Sequence, residues 1–189
     1  YMKEIAETGY WNGETAHVHH VHCTELAKFI AEYLKDFKSK RLYDMGCGMG
    51  NYLADLHTEG FYNILGLEGD IPKNSIWKDT IKQDLTIPLD KEFPRGNVIS
   101  LEVGEHIPKE YQDAYIDNIT NFCDDYLITS WAIRGQAGFG HVNCLDNHEI
   151  IPMIESRGFK LLKEDTEKIR SIDLSQAPWF KNTLFIFKR

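Results

Sequence analysis

The segment Leu42-Tyr43-Asp44-Met45-Gly46-Cys47-Gly48-Met49-Gly50 constrains the fold more than any other part of the chain. An apolar run ending in an acidic residue and alternating glycines describes a strand that turns sharply at its carboxyl end. Gly46, Gly48 and Gly50 let the backbone turn, and let a ligand approach where a Cβ would otherwise stand. Ordered glycine costs conformational entropy, so several in one turn need a reason. Asp44, just before the turn, puts a carboxylate where the positive end of a ligand would lie.

That carboxylate separates two cofactor classes. A dinucleotide fold sets an anionic pyrophosphate on a Gly-x-Gly-x-x-Gly turn, and an acid beside the phosphates would oppose it. The spacing here is Gly-x-Gly-x-Gly. S-adenosylmethionine (SAM), with a cationic ammonium and sulfonium and no phosphate, suits Asp44. At these residues the chain resembles the class I SAM-dependent methyltransferases, whose first motif is an acidic residue, a spacer and alternating glycines. The resemblance runs from Arg41 to nearly the end of the chain. It implies a Rossmann-like α/β fold, a seven-stranded, mostly parallel sheet with helices on both faces and an antiparallel last strand. It also implies in-line transfer of a methyl group from the sulfonium to a nucleophile. The rivals are a nicotinamide-dependent oxidoreductase, which the glycine spacing opposes, and a SAM-binding protein without catalysis.

With 189 residues the chain can build one core of ordinary domain size. A lid segment and helix over 1–40 are expected to join a methyltransferase domain over 41–189 in one compact unit. Lys and Arg total 21 against 29 Asp and Glu, a formal charge of −8, so a nucleic-acid partner is not expected and a small-molecule substrate is. Cys23, Cys47, Cys123 and Cys144 lie far apart without Cys-x-x-Cys spacing, which points to a reduced, cytoplasmic setting. No apolar run approaches the roughly 18–20 residues of a membrane span, and no signal peptide is read. The oligomeric state is not legible.

Leu26, Phe29, Ile30, Tyr33, Leu34 and Phe37 form a helical stripe starting near Thr24. Strands are expected at 41–45, 63–68, 81–84, 97–102 and 125–131, and two more at 159–163 and 184–188. A helix follows the glycine loop over 51–57. Another starts at Pro108 and extends to about Cys123, with Tyr111, Tyr115, Ile119 and Phe122 buried. Asp146 and Glu149 form a capping-box start for a helix through Arg157, closed by Gly158. Alternating strands and helices imply a mainly parallel sheet, which binds ligands beyond the carboxyl ends of its strands. Those ends carry Asp44, Glu68, Asp84, Glu102 and Trp131.

Glu68 is placed to accept both ribose hydroxyls of a nucleoside. The resemblance implies that Asp84, with Leu85 beside it, accepts a hydrogen bond from the adenine amino group. Glu102 would line the methionine end, and Gly46, Cys47, Gly48 and Gly50 the cradle. One departure stands out: Gly96-Asn97 replaces the family's usual acidic residue before the fourth strand.

Glu102, Glu105 and His106 stand at i, i+3 and i+4, which brings them together on one helical turn. Two chemistries can use them. His106 or a neighbour can take a proton from an attacking hydroxyl, since its ordinary pKa lies near operating pH. Alternatively Glu102, Glu105 and His106 can hold a divalent cation that acidifies a bound hydroxyl. Glu-x-x-Glu-His here resembles small-RNA 2′-O-methyltransferases and ubiquinone-biosynthesis O-methyltransferases, which implies a further histidine, His141. The metal is the less favoured of the two chemistries. Glu105, His106 and His141 are the catalytic candidates, and an oxygen acceptor is expected. No Asn-Pro-Pro-Tyr motif for base or glutamine amino groups follows the fourth strand.

The loop Ser130 to Asn143, with Arg134, Gln136, Phe139 and His141, reads as a substrate pocket in which Arg134 meets an anionic group. His17, His19, His20 and His22 lack zinc-site spacing. With Tyr10 and Trp11 they read as a lid. Trp179, Phe180, Phe185 and Phe187 read as core rather than as a ligand cage.

Overall fold

The computed structural model describes residues 4–189, so residues 1–3 of the expected 1–40 segment lie outside the described residues. The apolar runs become strands Leu42–Met45 (β1), Ile64–Glu68 (β2) and Gly96–Ser100 (β4), each buried at every position. Continuous burial is what a parallel strand covered on both faces requires. The remaining strands are Thr80–Lys82 (β3), Cys123–Ser130 (β5), Lys160–Leu161 (β6) and Leu184–Lys188 (β7). They form a 7-stranded sheet in the order β3-β2-β1-β4-β5-β7-β6. The last strand, β7, runs antiparallel to β5 and β6, and β1 to β5 are parallel to one another. The chain winds outward from β1 to β3 and then returns to β4, so the strand order reverses at β1 and β4. A crevice opens there at the carboxyl ends.

Helices cover both faces. Thr24–Tyr33 (α2) and Asn51–Thr58 (α3) pack Leu26, Ile30, Leu53 and Leu56 into one apolar cluster, joined by Ile169 and Phe180. Gln112–Asn121 (α4) and Asn147–Glu155 (α5) contribute Ile116, Ile119, Ile150 and Ile154 to the cluster on the other face. The capping box at Asp146 and Glu149 forms as expected. Among the described residues no helix is long and apolar enough to cross a membrane, and all four cysteines are free thiols.

Several boundaries differ from the sequence reading, for identifiable reasons. The stripe from Leu26 stops as an α-helix at Tyr33, and Phe37 sits in a separate 3₁₀ turn that keeps its ring 5.3 Å from that of Tyr126. The third strand ends before Asp84, because the Asp84 carboxylate turns back to accept from the Thr86 N–H at 2.9 Å and its hydroxyl at 2.7 Å. The fourth ends at Ser100, since Glu102 adopts φ 53° while its N–H donates to Ser130 Oγ. The helix expected from Pro108 opens with a 3₁₀ turn, Lys109–Tyr111, which leaves Tyr111 exposed rather than buried. Three helices were not legible: Gly13–His19 (α1), Lys163–Ser171 (α6) and Phe180–Thr183 (α7). In α6 only Thr166 and Ile169 are buried, too few apolar positions to make a period.

Asn118 of α4 ties the loop after β3 to the body of the fold. Its Nδ2 donates to the carbonyls of Leu85 and Ile87 at 2.7 and 2.9 Å, and its Oδ1 accepts from the Leu89 N–H at 3.0 Å. Asn118→Ala leaves these buried groups unpaired. The expected cost is about 2–4 kcal/mol in urea denaturation, from unmet buried hydrogen bonds. A loss below about 0.5 kcal/mol would mean that water replaces the amide.

Candidate functional site

Above the carboxyl ends of β1, β2 and β4 lies a chamber of about 280 Å³. Its floor is Gly46, Gly48 and Glu68, and one wall is Leu101, Glu102, Val103 and His106. Trp11, His19 and His20 from the N-terminal segment cover it, and Gln136 to Phe139 with His141 close the far side. A separate slot of about 40 Å³ shares Gly46, Glu68, Val103 and Ile107 as walls with the chamber and is bounded on its far side by Asp84 and Leu85.

The glycine loop has the conformation its composition requires. Gly46 and Gly48 lie at φ 85° and 52°, where side chains are strained. A Cβ on Gly48 would come within 2.8 Å of the His20 ring. Glu68 braces this loop: one carboxylate oxygen accepts from the Gly48 N–H at 2.7 Å and the other from the Gly69 N–H at 2.8 Å. Burial pushes the Glu68 pKa up, and these backbone donors oppose the shift.

Asp44, Cys47 and Gly50 stand behind the chamber wall rather than on it. Cys47 is buried, with its Sγ facing Gly66, and Gly50 is covered by Trp77. Asp44 is 3% exposed, and no donor among the described residues hydrogen-bonds it. Burial, with the nearby Glu68 adding to it, raises its pKa to about 8. The site therefore holds a desolvated carboxyl group beside an empty chamber, an arrangement that favours a cationic ligand.

At the opposite end Glu105, His106 and His141 bring one ligand-type atom each within 4.8 Å of one another. Glu105 is fully buried and lies behind the wall, whereas His106, His141 and Glu102 line the chamber. His141 Nε2 is 4.0 Å from a Glu105 carboxylate oxygen. Both Glu105 oxygens and one Glu102 oxygen are buried without a hydrogen-bond partner among the described residues, while the other Glu102 oxygen accepts from Gln136 at 2.8 Å. Burial and the neighbouring Glu102 push the Glu105 pKa well up. His106 Nδ1 lies 3.2 Å from the Gly140 carbonyl and His141 Nδ1 3.2 Å from the Gln136 carbonyl. A carbonyl accepts only, so each Nδ1 carries a proton. Burial, then His141, lower the His106 pKa to about 4, which keeps that ring neutral.

Other expectations are corrected. Arg134 does not face the chamber; it is solvent-exposed and paired with Glu149 at 2.6 Å, because the α5 amino end presents that carboxylate to it. Trp179 and Phe180, read as core, also line the chamber, and Trp179 Nε1 is buried without a partner. The helix that carries Phe180 is too short to leave a periodic signal. Gln136, named only within its loop, reaches Glu102 directly.

No protein-family model matches the chain, and no curated protein matches it by sequence. Solved structures share the fold. Magnesium protoporphyrin IX methyltransferase from Synechocystis PCC 6803, with bound SAM, is 18% identical over 88% of this chain and 79% of that one, with a TM-score of 0.61. The methyltransferase domain of bacterial CtHen1 is 18% identical over 88% of this chain and 100% of that one, with a TM-score of 0.59. The [4+2]-cyclase SpnF is 14% identical over 98% of this chain and 88% of that one, at 0.58. The architecture is thus that of the class I SAM-dependent methyltransferases. Since a cyclase also uses it, activity has to be argued from the site.

Asp44 yields a test of the site's electrostatics. Its carboxyl group is protonated in the folded chain up to about pH 8 but ionised in the unfolded chain above its ordinary 3.8. Between those values folding takes up a proton, so this residue's contribution to stability worsens as pH rises. Asp44→Asn removes that dependence. In thermal denaturation the variant is expected to gain on the unsubstituted chain between about pH 5 and about pH 8. A difference that does not change with pH would show Asp44 to be ionised in the empty protein.

Proposed function

We propose that the chain transfers the methyl group of SAM to an oxygen atom of a small-molecule acceptor. The observation that carries this reading is the row of two adjoining cavities that runs from Asp84 in the slot, across the shared walls Glu68 and Gly46, to His106 and His141 in the chamber. Its order of chemical groups matches the cofactor from end to end. Asp84 and Leu85 take the adenine and Glu68 the ribose hydroxyls. Gly46 and Gly48 admit the sulfonium tail, with Cys47 and Gly50 shaping the turn beneath. Asp44 supplies the negative charge for the ammonium, and Glu102 borders the methionine end. Fold neighbours crystallised with SAM or S-adenosylhomocysteine support the assignment.

The acceptor follows from the remaining walls. Among the described residues no Lys or Arg lines the chamber, whose covering is Trp11, His19, Val21 and Phe139. Such a surface offers nothing to a phosphate backbone and suits a neutral, partly apolar hydroxyl compound. The cofactor is already activated, so the chain has to orient the acceptor oxygen, exclude water and take up its proton. With Nδ1 of His141 tied to a carbonyl, its Nε2 is the ring atom left to accept that proton, while a pKa lowered to about 4 makes His106 the weaker base.

A second reading has its own support. Two buried carboxylates with unpaired oxygens, beside two imidazoles whose Nδ1 atoms are tied to carbonyls, form a donor set for a divalent cation. Glu105, His106 and His141 would hold it, with Glu102 at its edge. When bound, the cation would lower the pKa of an acceptor hydroxyl. Glu105 is then a ligand rather than a base.

Calorimetry with SAM and with Mn²⁺ tests both readings. The chain is expected to bind SAM, and failure to do so rejects the proposal. Mn²⁺ binding that is lost in Glu105→Gln supports the cation; its absence, with turnover that survives a chelator, leaves the histidines as bases. Turnover is to be read by transfer of labelled methyl to a panel of phenols, sugars and lipid precursors. His141→Ala is expected to lower it by about 10²–10⁴-fold, the usual contribution of a positioned base, with SAM affinity near that of the unsubstituted chain. Full activity would remove His141 from the reaction.

A further inference from the structure

Gly69, directly after Glu68, is a glycine whose backbone does not require one. It is not among the glycines with positive φ, so its conformation is open to any residue. Its space is not open. A Cβ built there would lie 2.2 Å from Cγ of Tyr10 and 2.4 Å from its Cβ. Gly69 lacks a side chain because the Tyr10 side chain, arriving from the other end of the sequence, stands in its place.

Tyr10 is delivered by a folded strap over residues 4–12. The Ala6 N–H donates to the Tyr10 carbonyl and the Asn12 N–H to the Glu4 carbonyl, both at 2.9 Å, and Ile5 pairs with Trp11 in an antiparallel bridge. The strap is pinned on either side of the ring. Thr8 Oγ1 donates to Asp84 at 2.6 Å, and the Gly13 N–H donates to Asp70 at 3.0 Å. Among the described residues Tyr10 is the sole aromatic residue lining the slot, with Leu85, Val103 and Ile107 as its aliphatic surfaces and Asp84 and Glu68 as its carboxylates. A narrow slot with one ring, aliphatic walls and a hydrogen-bond acceptor suits a flat heteroaromatic base carrying an amino group.

We propose that Tyr10 is a cofactor-binding residue. The strap supplies, from the amino-terminal side, the surface on which the adenine ring of the cofactor packs, replacing a side chain that position 69 would otherwise provide. The proposal rests on the SAM reading above and adds to it a contact made by a segment outside the α/β sheet.

Calorimetric titration of the full chain with S-adenosylhomocysteine tests it. If the unsubstituted chain does not bind, both the SAM reading and this proposal fail. If it binds, Tyr10→Ala is expected to weaken affinity about 10-fold or more, as loss of one base–aromatic contact does. Tyr10→Phe keeps the ring and is expected to stay within about twofold. Gly69→Leu alone should weaken binding by driving the ring out. Combined with Tyr10→Ala, the same leucine refills the wall and should restore most of the affinity. A merely structural Tyr10 would not give that rescue. Unchanged affinity in Tyr10→Ala, or a loss that Gly69→Leu does not reverse, overturns the proposal while leaving the SAM reading intact. If Tyr10→Ala has no thermal unfolding transition, the comparison of Gly69→Leu with the double variant decides.

Discussion

Carboxyl groups taken out of water at the carboxyl ends of the strands govern this molecule. Asp44, Glu68 and Glu105 are buried and Glu102 is largely so, and burial is the leading cause of the upward pKa shift in each. Unpaired buried carboxylates cost several kcal/mol each when ionised, so a sequence selected for stability alone would not gather them. The sheet can hold them because the rest of its core is apolar on both faces. Glu68 is satisfied internally by two backbone N–H groups of the loops it joins, and one Glu102 oxygen accepts from Gln136. Asp44 and Glu105 stand at opposite ends of the chamber, so under the proposed reading one faces an ammonium and the other a proton or metal ion.

The strands and the cleft were legible because burial on both faces writes continuous apolar runs, and because a turn with φ between 52° and 85° writes glycine. Asp44, Glu68, Asp84 and Glu102 could be placed from their positions at the ends of those runs. What the sequence hid depends on contacts distant along the chain. Arg134 looked like an anion site until α5 was seen to place Glu149 beside it. Trp179 and Phe180 look the same in sequence whether they face a core or a chamber. Position 69 looked like one more loop glycine, since the ring that excludes its side chain comes from Tyr10.

The amino-terminal segment also touches the other functional parts. Gly9 packs on the His106 carbonyl, the Trp11 ring lies 4.8 Å from the His106 ring, and His19 stacks on Phe139 at 4.6 Å. His20 lies over the glycine loop, and burial lowers its pKa to about 4, so it adds no charge above that loop. One continuous piece of chain therefore borders the slot, the glycine loop and the histidine end of the chamber.

The strap over residues 4–12 is held to the sheet by the Thr8–Asp84 and Gly13–Asp70 hydrogen bonds at its edges and by the packing of Tyr10 on Gly69 and of Gly9 and Trp11 on His106. Thr8 and Tyr10 line the slot, while Gly9 and Trp11 line the chamber, where His19 from the following helix joins them. Two cavities at the carboxyl ends of the strands thus share one covering segment. The sheet contributes the buried carboxyl groups and the strap contributes the enclosure.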